Sequence, residues 1–172
     1  MTGALLLTLM SMKAQTTVLI NNVQIFNGKD EKTIIGNVLI VNNTISKISA
    51  LPIAPNKSGE TKIIDGKGKF LMPGLIDAHM HMILAGSTLA KMQGGEVGAA
   101  FIRAGKEAEN TLYRGYTSVR DMGGPIFGMK QTIDAGIIPG PRIWPSGPMI
   151  SQTAGHGDFR GLIPLKSPCP AV

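Results

Sequence analysis

The sequence predicts an α/β fold in which a part built from short strands precedes about three strand–helix units. Two patterns carry this prediction. Runs rich in β-branched residues, separated by Asn and Gly, occupy residues 17–72. Further apolar runs then begin near residues 75, 117 and 142 and alternate with stretches of helical periodicity. Such β–α–β–α–β alternation is typical of a parallel sheet with helical crossovers.

Residues 1–15 are predicted to be a signal peptide. They contain an apolar run from Ala4 to Met10, which is too short to span a bilayer and has the length of a signal-peptide core. This predicts an exported protein, periplasmic or secreted, with no transmembrane segment. No Lys or Arg precedes the run, however, and a start at Met12 is the alternative, which predicts a cytoplasmic protein.

Residues 16–72 are predicted to form a β-sandwich part in which short antiparallel strands dominate. The runs TTVLINNVQIFNG and NVLIVNNTISKIS are typical of strands, with a hairpin turn at Asn42-Asn43. A third pair of strands is predicted within TKIIDGKGKFLM, with Asp65-Gly66 and Lys67-Gly68 between them. Prolines and polar residues indicate a loop over 51–59.

The stretch FLMPGLIDAHMH, residues 70–81, has the pattern of an apolar strand that ends in two histidines. Regular alternation places Asp77, His79 and His81 on one face, together with Leu75. Two residues of strand rise separate the histidines by roughly 6.6 Å, so both imidazoles can reach one metal ion at about 2.0–2.1 Å. We interpret the histidines as metal ligands and Asp77 as a hydrogen-bond acceptor that orients one of their rings. The alternatives are surface or capping roles for all three.

The downstream elements follow from periodicity and glycines. Gly86 to Gly95 is predicted to be a loop, and the next run is predicted to be a helix that ends at Gly115. Its apolar face should contain Val97, Phe101, Ile102, Ala108 and Leu112. TSVR (117–120) and RIWPS (142–146) are predicted strands, and PIFGMKQTIDAG is the predicted helix between them.

Composition argues against several classes of protein. The chain is 43% hydrophobic and 16% charged, which indicates a globular rather than a disordered protein. The net charge is +6, but the 17 basic residues are scattered and only 5% of residues are aromatic, so nucleic-acid binding is not predicted. A single cysteine, Cys169, excludes an internal disulfide.

The motif PGLIDAHMH resembles the first barrel strand of the amidohydrolase superfamily. RGYTSVRDMGG (114–124), GPRIWPSGPMIS (140–151) and TAGHGD (153–158) are similar to the subgroup of imidazolonepropionase-like enzymes and Xaa-Pro dipeptidases. The resemblance implies a TIM (β/α)8 barrel, of which residues 73–172 would form the first three units or so, at roughly 31 residues each. The chain would then be an N-terminal fragment of such an enzyme.

Site residues and cofactor also follow from the resemblance. It implies that His79 and His81 bind the more buried of one or two divalent ions, zinc in the first instance. It also implies that His156 lies near the substrate carbonyl or carboxylate; a solvent-exposed loop histidine is the alternative. Arg120 and Asp121 are interpreted as a structural ion pair or cap at the end of the second barrel strand.

Catalysis in the family also uses a carboxylated lysine, two further histidines and an aspartate base from later strands. The sequence contains no equivalent of these groups, so no catalytic residue is assigned and the 172-residue chain alone is predicted to be inactive. The complete enzyme would hydrolyse an amide-type C–N bond in a small, dipeptide-like substrate such as Xaa-Pro, and homo-oligomers of it are compatible with this prediction. A cyclic-amide hydrolase such as imidazolonepropionase, or a non-catalytic metal-binding remnant, is the alternative.

Overall fold

The computed structural model describes residues 16–55, 60–87, 95–153 and 155. The predicted signal peptide (1–15), His156 and the tail that follows it lie outside these residues. The chain divides into two compact units, one ending at Pro73 and one beginning at Gly74. Within the described ranges, no helix has the length and apolar character that crossing a membrane requires.

The first unit contains one five-stranded sheet. Its strands are β1 (Thr17–Ile25), β2 (Ile34–Val41), β3 (Thr44–Ser49), β4 (Thr61–Asp65) and β5 (Phe70–Leu71). The order is β3-β2-β1-β4, and β5 also pairs with β1. The hairpin predicted at Asn42-Asn43 is confirmed, because β2 and β3 are antiparallel and Asn42 has a positive φ of 56°.

The predicted third pair of strands is wrong, because β4 and β5 do not pair with each other. Both run parallel to β1, β4 beside residues 17–21 and β5 beside residues 24–25. Between them the Gly68 N–H donates to the Asn22 carbonyl at 2.8 Å, where a bulge interrupts β1. The chain therefore advances along one edge of β1 instead of turning back, a pairing that turn residues alone do not encode.

The second unit is a three-stranded parallel sheet with helices. Its strands are β6 (Leu75–Met80), β7 (Tyr116–Asp121) and β8 (Arg142–Pro145), in the order β6-β7-β8. The helices are α1 (Met82–Ala85), α2 (Val97–Tyr113) and α3 (Phe127–Asp134). The parallel sheet with helical crossovers confirms the predicted α/β fold class. The short helix α1 was not predicted.

The buried face of α2 agrees with the predicted one only in part, since Ala108 is buried and Phe101 packs against the core as predicted. Ala104, Ala108 and Thr111 are buried, whereas Val97 and Ile102 are 51% and 77% exposed. Small side chains let the helix approach closely, and the Thr111 hydroxyl donates to the Glu107 carbonyl within the helix. Hydrophobicity alone therefore predicts burial wrongly for Val97 and Ile102, which lie at the edges of this face.

The core of the second unit lies between its sheet and its helices. Val119 and Ile143 contribute from the strands, and the helices contribute a further set of buried side chains: Met82, Ile83, Ala104, Ala108, Ile126 (the N-cap of α3) and Met129. Met82 is completely buried, although it follows directly on the second histidine of the motif. This burial anchors the start of α1 and thereby fixes the backbone that carries His81.

Candidate metal centre

A bulge at the end of β6 sets the geometry of the histidine motif. Asp77 pairs with Val119 and Met80 pairs with Asp121, so two residues of β6, 78 and 79, lie opposite the single residue 120 of β7. Asp77 and Met80 therefore lie beside the two buried residues of β7. The prediction that Asp77 shares one regular face with the histidines is wrong, because the extra residue interrupts the alternation.

The two histidine rings nevertheless lie together. His79 is exposed within the bulged segment, and His81 is half-buried immediately before α1. Their ring centres are 5.2 Å apart, and the ring planes are inclined at 79°. Two imidazoles that bind one tetrahedral zinc ion through nitrogens at about 2.0–2.1 Å have ring centres about 5 Å apart. The spacing of this pair therefore fits two ligands of a single ion.

The contact that His81 makes selects one tautomer. Its Nδ1 lies 3.3 Å from the carbonyl oxygen of Gly123. A carbonyl oxygen only accepts hydrogen bonds, so the proton of the neutral ring belongs on Nδ1 and the lone pair on Nε2. Metal-binding histidines are commonly oriented in this way by a backbone carbonyl. In this tautomer Nε2 is the His81 nitrogen available to bind a metal.

The carboxyl end of β7 supports the segment around both histidines. Asp121 is fully buried, and its Oδ2 accepts from the Met82 N–H at 2.6 Å while its Oδ1 accepts from the Gly123 N–H at 3.1 Å. The Arg120 Nε donates to the Ala78 carbonyl at 2.7 Å. The predicted cap is confirmed. The predicted ion pair is not formed, because the ion pairs among the described residues are Lys106–Glu109, Arg114–Glu107 and Lys130–Asp134.

Asp77 contacts the motif through the backbone. Its Oδ1 accepts from the His79 N–H at 3.0 Å, so this oxygen supports the bulge and does not contact a ring. Over the described ranges, no group of three or more His, Cys, Asp or Glu side chains lies close enough to hold a metal. His156, the predicted substrate-binding histidine, lies outside those ranges. Two imidazoles are therefore the ligand candidates that the described chain brings together.

Comparison with known proteins identifies the family. The amidohydrolase family model matches residues 70–167, which include both histidines and all three parallel strands. The chain belongs to the amidohydrolase family. Members of this family are hydrolases that act on C–N bonds, and they typically bind divalent metal ions.

Individual proteins are also similar to this chain. Ochratoxinase of Aspergillus niger is 40% identical over 98 residues, which are 54% of this chain and 20% of that protein. A prolidase complexed with N-methylphosphonate-L-proline is 32% identical, with a TM-score of 0.74 over 89% of this chain and 37% of that one. A Xaa-Pro dipeptidase with methionine in its active site is 28% identical, with a TM-score of 0.69, over 84% of this chain and 37% of that one.

The chain matches only a part of each relative's length. The chain spans about a fifth of the curated relative and a little over a third of the two solved structures. The match therefore identifies the family and the fold of this region. The reaction of the whole protein is a separate inference.

Proposed function

We propose that this chain is the N-terminal, metal-binding part of an amidohydrolase that cleaves an amide-type C–N bond in a small, dipeptide-like substrate. The observation that carries the proposal is the paired geometry of His79 and His81, with ring centres 5.2 Å apart. An Xaa-Pro dipeptide is the leading substrate, since a prolidase and a Xaa-Pro dipeptidase are among the similar structures.

His79 and His81 are the residues that would hold the ion, and imidazole nitrogen is a preferred zinc ligand. When bound, the ion supplies Lewis-acid polarisation of the amide carbonyl and lowers the pKa of water. The chain's own contribution is positional. The Gly123 carbonyl orients the His81 ring, and the bulge beside Asp77 presents His79. Asp77 is the supporting acceptor in this proposal, and His156 contributes to binding of the substrate.

Hydrolysis needs more than these residues provide. A catalytic zinc ion usually has three protein ligands, and a base must accept the proton of the attacking water. The described residues bring two ligand candidates together, and the nearby carboxylates of Asp77 and Asp121 accept hydrogen bonds from the backbone, so no group of three or more His, Cys, Asp or Glu forms there. We therefore expect no turnover from the 172-residue chain alone.

An activity assay tests the proposed function. Xaa-Pro dipeptides and a cyclic amide would be offered to the 172-residue chain and to the product of the whole reading frame that contains it. We expect the chain to be inactive and the whole product to release proline, and we expect this activity to be lost on chelation or in His79→Ala, because both remove the ion that polarises the amide carbonyl. Turnover of the cyclic amide alone would instead indicate a cyclic-amide hydrolase such as imidazolonepropionase. A whole product that binds zinc without hydrolysing either substrate would instead indicate a non-catalytic metal-binding protein.

A further inference from the structure

The end of β7 offers no ligand to the histidine pair, yet it contacts the backbone on both sides of the pair. Arg120 binds the carbonyl of Ala78, which precedes His79. Asp121 binds the amide of Met82, which follows His81. Two adjacent residues of one strand therefore fix the backbone on both sides of the three-residue segment, His79 to His81, that presents the imidazoles.

A second path leads from Asp121 to the His81 ring itself. One carboxylate oxygen accepts from the Gly123 N–H, and the carbonyl of Gly123 faces the His81 Nδ1. Position 123 has no room for a side chain, because an added Cβ would lie 2.1 Å from the Cγ of Met149. The Met122 N–H also donates to the Met80 carbonyl at 2.8 Å, which ties this turn to β6. The Gly123 carbonyl is thus held in place from several directions.

The bonding of Asp121 indicates a supporting role. Both of its oxygens accept backbone N–H groups, and its side chain is completely buried. A buried carboxylate with two charge-assisted bonds is a rigid support, because neither bond can be replaced by water at that position. Its two bonds join the residue that follows His81 to the residue that orients His81.

We propose that Asp121 is a positioning residue that sets the tautomer and the orientation of His81, with the Gly123 carbonyl as the intermediary. The inference rests on the proposed metal-binding role of His79 and His81. It adds a residue of β7 to the site, although β7 supplies no metal ligand. Supporting groups of this kind typically change metal affinity by 10–100-fold when they are removed.

The test combines ring tautomers with metal affinity in the full 172-residue chain. Long-range ¹H–¹⁵N NMR at pH 8 distinguishes Nδ1–H from Nε2–H rings, and the chain contains only three histidines to assign. Zinc affinity is measured by competition with a chelator. The variant is Asp121→Asn. It keeps the shape of the side chain but replaces one accepting oxygen with an NH₂ group, so that a donor faces one of the two backbone N–H groups. The matched control is Asp134→Asn, which removes an exposed carboxylate paired with Lys130.

We expect the unmodified chain and the control to show His81 as the Nδ1–H tautomer. In Asp121→Asn that preference should be lost and zinc affinity should fall at least 10-fold. An Nε2–H ring at His81 in the unmodified chain would overturn the proposal, even if the variant does not fold. Unchanged tautomer and affinity in a folded variant would also overturn it.

These results remain separable from the proposed function. If the unmodified chain binds no zinc while Asp121→Asn still alters the His81 tautomer, the positioning role stands and the proposed metal-binding role fails. If zinc binds with equal affinity to all three proteins, the metal-binding role stands and the positioning role fails.

Discussion

Asp65 and Asp121 end strands in different units and make the same local contact. In each, Oδ1 accepts from the backbone amide two residues further on, at 2.9 Å for Lys67 and 3.1 Å for Gly123. Asp65 is exposed, and the same oxygen also accepts from the Asn22 side chain. Asp121 is fully buried, and its second oxygen accepts from Met82, 39 residues away in sequence.

The comparison shows what converts a common turn into part of a site. Aspartate side chains often hydrogen-bond to the backbone two residues on, and at Asp65 this contact shapes the turn between β4 and β5. At Asp121 the same contact orients a carbonyl toward a histidine, while the other oxygen holds the neighbouring strand end. Asp121 therefore differs from Asp65 in its burial and in its long-range hydrogen bond to Met82.

Removing the two carboxylates should give the largest contrast. Asp121→Ala leaves the buried Met82 and Gly123 amides without acceptors, which should lower the free energy of unfolding of the second unit by about 3 kcal/mol. Asp65→Ala should leave that unit unchanged, since water replaces the lost contacts of an exposed group. Trp144, the single tryptophan, lies in β8 and reports on the second unit during denaturation. Equal effects of both variants on the Trp144 transition would contradict the contrast.

Two glycines extend the comparison of the units. A Cβ added at Gly74 would lie 2.2 Å from the Cγ2 of Thr117 and 2.7 Å from its Cβ, so rotation of Thr117 does not relieve the clash. Gly74→Ala should therefore destabilise the second unit by about 2 kcal/mol. Gly68 has open space around it but a φ of +74°, so Gly68→Ala should destabilise the first unit by only about 1 kcal/mol.

Trp144 fluorescence measures the effect of Gly74→Ala, and amide exchange in β4 and β5 measures that of Gly68→Ala. A Gly68→Ala variant that shifts the Trp144 transition more than Gly74→Ala does would show that contact distance is the wrong basis for ranking these sites.

The smallest predicted effect is the acid response of Asp65. The Lys67 backbone amide, followed by the Asn22 side chain, holds the pKa of this carboxyl below its ordinary value of 3.8. A pKa lowered by folding stabilises the folded form above about pH 3.8. That contribution is lost as the pH falls through the lowered pKa. Carboxyl ¹³C NMR titration should give a pKa below 3.8, and Asn22→Ala should raise it. A pKa at or above 3.8 would refute the contact.

Much of the fold was predictable because it depends on local pattern. The parallel strands lie within about two residues of the predicted runs, since apolar runs bounded by glycine and proline specify strands directly. The Asn42-Asn43 hairpin followed from turn chemistry. The pairing of β4 and β5 with β1 did not, because it depends on a bulge in a strand whose paired residues lie 44 to 46 positions earlier.

The candidate site was predictable only in part. The sequence identified His79 and His81 as a pair, and their ring centres lie 5.2 Å apart, but the bulge between Asp77 and Met80 was not predicted. The role of Asp121 as a cap was predicted. Its bond to Met82 was not, since nothing in either local sequence indicates that these residues meet. An aspartate at a strand end that follows an apolar run was the only available signal.

The most direct test of the metal-binding claim is a zinc titration followed through the ¹⁵N shifts of the imidazole rings. We predict that one equivalent of zinc moves the nitrogens of His79 and His81 together, with a larger change at the His81 Nε2 than at its Nδ1. His156 should stay unchanged and serve as the internal control. Zinc-dependent shifts at His156 alone, or equal shifts at all three rings, would contradict the assignment of His79 and His81 as the metal ligands.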